Sequence, residues 1–113
     1  METKRQQKIA KLLLKDLSEI LQMEMRAVTS GALITVTKIV VSPDLYIARV
    51  YLSIFGVKNK EAKLKAVQQH KSEIRGLLGN RVRHQLRSIP ELEFFIDDSL
   101  DYIQKIDNLL KGD

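Results

Sequence analysis

Apolar and charged residues alternate through the first 28 positions with the period of an α-helix. Apolar side chains recur at steps of three and four from Ile9 to Val28, and lysines and glutamates fall between them. This spacing predicts one amphipathic helix over residues 3–28, with Thr3 as its N-cap. The sequence TSG at 29–31 ends the predicted helix.

The pattern then changes to the two-residue period of β-strands. LITVTKIVV (33–41) is β-branched almost throughout, and YIARVYLSIF (46–55) places apolar residues on one face and polar residues on the other. Between them, SPDL (42–45) has the proline and aspartate of a tight turn. We therefore predict an antiparallel hairpin with one buried face.

Residues 57–88 are helical in character, but their apolar stripe does not keep one phase. The stripe begun by Leu64 and Val67 would continue on two charged positions, and an apolar stripe resumes only from Ile74 onward. A slip of this kind predicts a kink within residues 68–75, or two helices that meet there at an angle.

After the break that Pro90 imposes, ELEFFID (91–97) predicts a short third strand and DSLDYIQKIDNLL (98–110) a final helix. The predicted order is α-β-β-α-kink-α-β plus a C-terminal tail helix. Three strands with helices on one face make an α+β fold. We expect one domain over residues 1–97 and a helical tail over 98–113 that packs on the domain or extends from it.

The composition argues against an enzyme. The 113 residues contain no cysteine, and the two histidines, His70 and His84, lack the spacing of a metal centre. Asp97 and Asp98 stand where an acidic N-cap of the last helix is expected, which explains them better than a catalytic pair does. Either Asp98 or Ser99 is the predicted cap residue. We expect neither a metal nor a cofactor, since no nucleotide-binding or hydrolase motif is present.

The chain also lacks the segments that direct a protein to or through a membrane. Its apolar stretches are far shorter than the roughly 18 residues of a membrane span. Its charged N-terminus has no signal-peptide cleavage site. We expect a cytosolic protein.

Charge is distributed unevenly along the sequence. Residues 1–90 contain 17 lysines and arginines against 7 acids, a net charge of +10, whereas residues 91–113 contain 2 against 7. Solubility alone would favour a net charge, but it does not require the two signs to be separated. The basic body therefore favours a polyanionic partner.

Two basic clusters supply the candidate RNA contacts, one at the start of the first helix and one within residues 71–87. Arginine suits bidentate phosphate contact, and a row of cations on a helix can follow a nucleic-acid backbone. The last three candidates lie opposite the apolar stripe and are predicted to face solvent from a helix. The candidates are Lys4, Arg5, Lys8, Lys71, Arg75, Arg81, Arg83, His84 and Arg87.

A third cluster of four lysines between positions 58 and 65 opens the middle helical region. Exposed aromatic residues are few, and we expect Tyr46 and Tyr51 to pack on the sheet. Recognition of structured RNA through its shape and phosphates is therefore favoured over stacking on splayed bases.

Gly76-Leu77-Leu78-Gly79 matches the G-x-x-G pattern of the loop with which KH domains approach a nucleic-acid backbone. Such a loop needs polar or basic central residues. Here the centre is two leucines, and Leu78 continues the apolar stripe. We interpret the four residues as helix, with the glycines permitting close packing or bending.

Two long stretches, VTKIVVSPDLYIARVYLSIFG (36–56) and IRGLLGNRVRHQLRSIPELEFFIDDSLDYIQKIDNLL (74–110), resemble the ribosome-binding factor A family of bacterial small-subunit assembly factors. With the opening amphipathic helix, the resemblance covers nearly the whole chain. It implies a type II KH-like fold in which an Ala-x-Gly kink between the two central helices replaces the G-x-x-G loop.

The chain departs from the family pattern at two places. The kink positions map to His70, Lys71 and Ser72, so neither the alanine nor the glycine is kept. The Asp-Pro turn that usually follows the first helix is absent from residues 26–32, where Ser30-Gly31 is expected to make the bend.

The resemblance implies a ribosome biogenesis factor without enzymatic activity. It would bind the immature small (30S) ribosomal subunit, contact 16S rRNA near its 3′ end and the neck, and assist late rRNA processing and maturation, notably in the cold. It would work indirectly with assembly GTPases, as a cytoplasmic monomer, and leave before translation. The residues alone leave two alternatives open: a nucleic-acid-binding module unrelated to the ribosome, and a protein-interaction domain whose first helix pairs with a partner helix.

Overall fold

The computed structural model describes residues 2–97. The order of its elements confirms the predicted α-β-β-α-kink-α-β arrangement, with one short helix added after the first. The tail helix predicted at 98–110, with its cap at Asp98 or Ser99, lies outside the described residues. The elements are α1 (Lys4–Met23), α2 (Arg26–Thr29), β1 (Leu33–Val41), β2 (Ile47–Phe55), α3 (Lys60–Gln69), α4 (Lys71–Val82) and β3 (Glu91–Ile96).

Helix α1 begins at the predicted cap. The Thr3 hydroxyl accepts a hydrogen bond from the Gln6 backbone N–H at 3.1 Å, and the Gln6 side chain accepts one from the Thr3 N–H at 2.7 Å. This reciprocal pair satisfies two donors that a helix start would otherwise leave unpaired. Gln6 also donates from Nε2 to the Val41 carbonyl at 2.8 Å, which ties the first turn of α1 to the end of β1.

The end of α1 was predicted wrongly, because the helix stops five residues before Val28. The N–H groups of Glu24 and Met25 both donate to the carbonyl of Ile20, and the chain then turns into α2. Met25 and Val28 are nevertheless 3% and 8% exposed, since α2 directs them into the core. The apolar period predicted their burial, but it does not distinguish one helix from two that bury the same stripe.

The three strands form one mixed sheet in the order β1-β2-β3. β1 and β2 pair in antiparallel register with a bulge between Val36 and Lys38, and β3 pairs parallel with β2. The predicted hairpin is confirmed, although β2 starts at Ile47 and not at residue 46. The buried side chains of the sheet join those of the helices in one core cluster. They are Ile34, Val36, Ile39, Val41, Ala48, Val50, Leu52, Ile54, Leu92 and Phe94, with Ser53 as a buried polar residue.

The predicted break between the two central helices lies at His70, where α3 ends and α4 begins. The His70 N–H donates to the Val67 carbonyl, and its ring Nδ1 lies 2.9 Å from the Ala66 carbonyl. Val67 before the break and Ile74 after it are both fully buried. The break at His70 thus keeps in the core an apolar stripe that would rotate away from it along one continuous helix.

Helix α4 ends at Val82, so the prediction of helix through residue 88 is wrong. The N–H groups of Gln85 and Leu86 both donate to the Val82 carbonyl and turn the chain. The turn is needed because the following segment must bring β3 alongside β2 in parallel register. Residues 83–88 are a turn and an irregular segment.

The G-x-x-G sequence lies inside α4, as predicted. Leu78 is fully buried and Leu77 packs against the core. A Cβ added at Gly76 would meet nothing within 4 Å, and one at Gly79 would make an ordinary contact with Ile89 at 3.5 Å. These glycines are therefore not required by a tight approach of the backbone to another part of residues 2–97.

Candidate nucleic-acid interface

Arg81 is held by carboxylates of α1 and of the residue that caps it. Its Nη1 donates to Glu19 and, at 3.4 Å, to Asp16, while its Nη2 lies 3.6 Å from Glu24. The hydrogen bond with Glu19 is the largest cause that raises the pKa of the Arg81 guanidinium; Asp16 and the charge of Glu24 act in the same direction, and burial opposes them. Arg81 therefore joins α4 to α1.

Arg75 is likewise engaged within the protein. Its Nε and Nη2 donate to the carbonyls of Pro90 and Ile89 at 3.2 and 2.7 Å, and Nη2 lies 3.7 Å from the Glu91 carboxylate. These contacts hold the segment that enters β3. Arg75 and Arg81 are the two half-buried members of the predicted RNA-binding set, and the other seven are exposed.

The exposed members do not all lie together. Lys71 lies beside Glu93 and Phe95 in a shallow depression at β3. Arg83 and His84 are exposed as predicted, but from the turn after α4 and not from a helix face.

Arg5 and Arg87 line one groove of about 370 Å³, which we call the basic groove. Its walls are the start of α1, the hairpin turn at 44–46 and the segment 85–90. Lys8 lines an adjoining depression that also contains Arg5. Two basic clusters that stand 82 positions apart in the sequence, at Arg5 and Arg87, therefore meet at one place.

Gln6 was not among the predicted site residues, yet it explains why the start of α1 lies at this groove. Its side chain is 4% exposed and bonds to the Val41 carbonyl at the end of β1. This anchor brings the neighbouring Arg5 beside the hairpin turn. The signal that could have identified Gln6 was its position three residues after Thr3, the spacing of a capping box.

Tyr46 lies in the basic groove with 68% of its surface exposed, so the prediction that it packs on the sheet is wrong. Its position in the two-residue period matches the buried residues Ala48 and Val50, but β2 begins only at Ile47. Tyr51 does pack on the sheet, where its ring stacks on Phe95 with 5.5 Å between centroids.

The hairpin turn that carries Tyr46 is held by hydrogen bonds to Asp44 and by the packing of Leu45. Asp44 Oδ1 accepts hydrogen bonds from the Ser42 hydroxyl at 2.6 Å and the Tyr46 N–H at 3.1 Å, and these bonds lower the pKa of Asp44. Leu45 adopts a left-handed backbone with φ of 66°, which is costly for leucine. Its side chain packs against the core, which offsets that cost.

Part of the third basic cluster also has a structural role. Lys63 Nζ donates to the carbonyls of Val28 and Ser30 at 3.0 and 2.6 Å and so satisfies acceptors at the end of α2. Lys60 Nζ lies 5.4 Å from the centroid of the Phe55 ring, within the range of a cation–π contact.

Residues 2–97 contain no group of three or more histidines, aspartates or glutamates placed to hold a metal ion. In the same part of the chain, every helix is too short or too polar to cross a membrane.

The sequence model of ribosome-binding factor A matches residues 5–110. Ribosome-binding factor A from Flavobacterium johnsoniae is 50% identical over 113 residues, which cover 99% of this chain and 87% of that protein. The protein of the same name from Christiangramia forsetii is 47% identical over 112 residues, with coverage of 98% and 86%.

Solved structures agree with these relatives. The crystal structure of ribosome-binding factor A from Thermus thermophilus superposes with a TM-score of 0.68 at 25% identity, covering 80% of this chain and 94% of that chain. A Thermus thermophilus ribosome binding factor A homology model, fitted into a cryo-electron microscopy map of a 30S complex, gives a TM-score of 0.64 at 27% identity, with coverage of 79% and 91%.

Proposed function

The chain belongs to the ribosome-binding factor A family, and from that premise we propose that it binds the immature small (30S) ribosomal subunit through 16S rRNA. The observation that supports this most directly is the basic groove. Arg5 and Arg87 line it, Lys8 adjoins it, and Arg83 and His84 are exposed on the turn that precedes its wall. A phosphate backbone is the polyanion that such a surface suits.

The binding we propose divides the predicted cations by task. The exposed side chains form charge-assisted hydrogen bonds with rRNA phosphates. Arg75 and Arg81 instead bind groups within the protein, Arg75 at the entry to β3 and Arg81 between α4 and α1, and stabilise the fold. The break between α3 and α4 at His70 would help to position the turn after α4.

Bound in this way, the protein would assist late 16S rRNA processing and maturation without a chemical step of its own. It would act in the cytoplasm as a monomer, alongside assembly GTPases that it meets on the subunit, and its contribution would be greatest in the cold.

The proposal is tested by co-sedimentation of the purified chain with immature small subunits at increasing salt. We expect the protein to travel with the subunits at low salt. If Arg5, Lys8, Arg83 and Arg87 each neutralise one phosphate, the logarithm of the association constant should fall against the logarithm of salt concentration with a slope of about −3 to −4. Absence from the subunit fractions, or binding that salt does not weaken, would contradict the proposal.

A second candidate function, a nucleic-acid-binding module unrelated to the ribosome, rests on the same groove. It predicts equal affinity for subunits and for unrelated structured RNA of the same length. Competition between the two separates the candidates, because a subunit-specific protein is displaced by free subunits at much lower concentration than by unrelated RNA.

A further inference from the structure

Among the phenylalanines and tyrosines of residues 2–97, Tyr46 is the most exposed, and it lines the basic groove. An aromatic ring left two-thirds exposed on a fixed turn lacks the burial that normally stabilises it. The neighbouring Ile47 begins a strand and Leu45 packs against the core, so the residues on either side are half-buried whereas the tyrosine is exposed.

The backbone of Tyr46 is fixed by hydrogen bonds to the hairpin turn and to the start of β3. The Tyr46 N–H donates to Asp44, and the Tyr46 carbonyl accepts from the Glu91 N–H at 2.7 Å at the start of β3. A ring presented on such a backbone loses little conformational entropy on binding, which is the property of an effective stacking surface.

The basic groove contains one carboxylate beside Tyr46 and two arginines, a combination that can accept a base and its phosphates at different places. Asp44 lines the groove beside Tyr46, and its lowered pKa keeps it ionised, so it repels a phosphate from this position. Arg5 and Arg87 line the same groove and attract phosphate. Gln85 adds an amide that can both donate to and accept from the edge of a base.

We propose that the basic groove holds a single-stranded segment of RNA with one unpaired base stacked on the ring of Tyr46 and the adjoining phosphates held by Arg5 and Arg87. The inference rests on the proposed function, since it names the kind of RNA that this surface takes. A base inside a duplex has both faces covered and cannot stack on the ring, whereas an unpaired nucleotide can. The volume of about 370 Å³ lies within the roughly 300 to 1,000 Å³ of small-ligand sites.

The test compares the full-length chain with Tyr46→Ala and Tyr46→Phe in binding to hexa-adenylate and to an abasic hexamer with the same phosphates. Loss of one stacked base weakens binding by roughly tenfold. We expect Tyr46→Ala to bind hexa-adenylate about tenfold more weakly than the unmodified chain, and to bind the abasic hexamer equally well. Tyr46→Phe keeps the ring and should keep the affinity.

Three outcomes would overturn the stacking site. In the first, the wild-type protein binds hexa-adenylate no more tightly than the abasic hexamer. In the second, Tyr46→Ala weakens the binding of both hexamers equally. In the third, it weakens the binding of neither. Because the ring is exposed, urea unfolding midpoints of the variants should match the wild type, which excludes misfolding as the cause.

A second reporter uses the absence of tryptophan from the sequence. In Tyr46→Trp the single indole lies at the proposed stacking position, and hexa-adenylate should quench its fluorescence whereas the abasic hexamer should not. Equal quenching by both would contradict stacking. Failure of the wild-type chain to co-sediment with small subunits would instead contradict the proposed function, so the two failures are distinguishable.

Discussion

Arg81 and Arg87 stand six positions apart in one basic stretch, yet the structure uses them in opposite ways. Arg81 is on α4 and points into a seam with α1, where Glu19, Asp16 and Glu24 surround its guanidinium. Arg87 follows the turn after α4 and is exposed on the wall of the basic groove. One cation stabilises the fold, and the other is available to a partner.

The difference shows that a run of like charges is not a functional unit. What separates the two arginines is the end of α4 at Val82, after which the helical period no longer decides where a side chain points. Arg75 belongs with Arg81, because backbone carbonyls at the entry to β3 hold it. We call Arg75 and Arg81 the inner arginines, and Arg5, Arg83 and Arg87 the outer arginines.

The largest expected effect follows from neutralising two outer arginines in Arg83→Gln/Arg87→Gln. Glutamine is used at Arg83 because a carboxylate at the end of α4 would oppose the helix dipole. Loss of two phosphate contacts should weaken binding to small subunits on the order of 50-fold at 0.1 M salt and make the salt slope shallower by about 2. Co-sedimentation across a salt series measures both quantities.

Lys58→Gln/Lys65→Gln is the matched control for that variant. It removes the same net charge from exposed positions outside the basic groove. Its affinity should fall only slightly, through the overall field of the protein. If the control loses as much affinity as the arginine variant, binding depends on net charge and not on the groove.

A smaller effect, on stability and not on binding, is expected for the inner arginine in Arg81→Ala. The change removes hydrogen bonds between charged groups and leaves Asp16 without its cation, which should lower the free energy of unfolding by about 2 kcal/mol. Partial exposure of the seam keeps the cost below that of a fully buried pair. Urea denaturation measures it.

Arg83→Ala, two positions further along, serves as the comparison for Arg81→Ala. As an exposed residue it should change the free energy of unfolding by no more than about 0.5 kcal/mol. At temperatures where both variants are folded, Arg81→Ala should bind subunits like wild type. The inner and outer division would be wrong if the two substitutions destabilised the chain equally.

The smallest effect is expected for Gly76→Ala, which tests the G-x-x-G interpretation. The added methyl group meets nothing within 4 Å and lies inside α4, so the variant should be more stable by about 0.5–1 kcal/mol, with unchanged subunit binding. A KH-type clamp needs its glycine backbone against RNA, and reduced binding by Gly76→Ala would restore that reading.

Most of the fold was predictable because each buried face has a clear period. The helix break was visible as a phase slip, and Val67 and Ile74 are indeed buried on either side of His70. The ends of α1 and α4 were not predictable, since backbone turns at Met25 and Val82 keep apolar residues buried after the helix has ended.

The sequence predicted which types of residue form the candidate site, but it did not predict which of these residues lie together. Charge composition identified Arg5 and Arg87, but only the tertiary fold shows that they line one groove. Arg81 looked like its neighbours because its carboxylate partners lie more than 50 positions away. Tyr46 was misassigned because its place in the strand period precedes the first paired residue of β2.

The central claim is that the basic groove faces rRNA on the small subunit. Site-specific crosslinking tests it directly, with a photoreactive residue placed at Ser88 in the groove wall or at Lys65 on α3 as the control. On purified small subunits we predict crosslinks to 16S rRNA from position 88 and few or none from position 65. Equal crosslinking from both positions, or crosslinks from position 88 to ribosomal proteins alone, would contradict the claim.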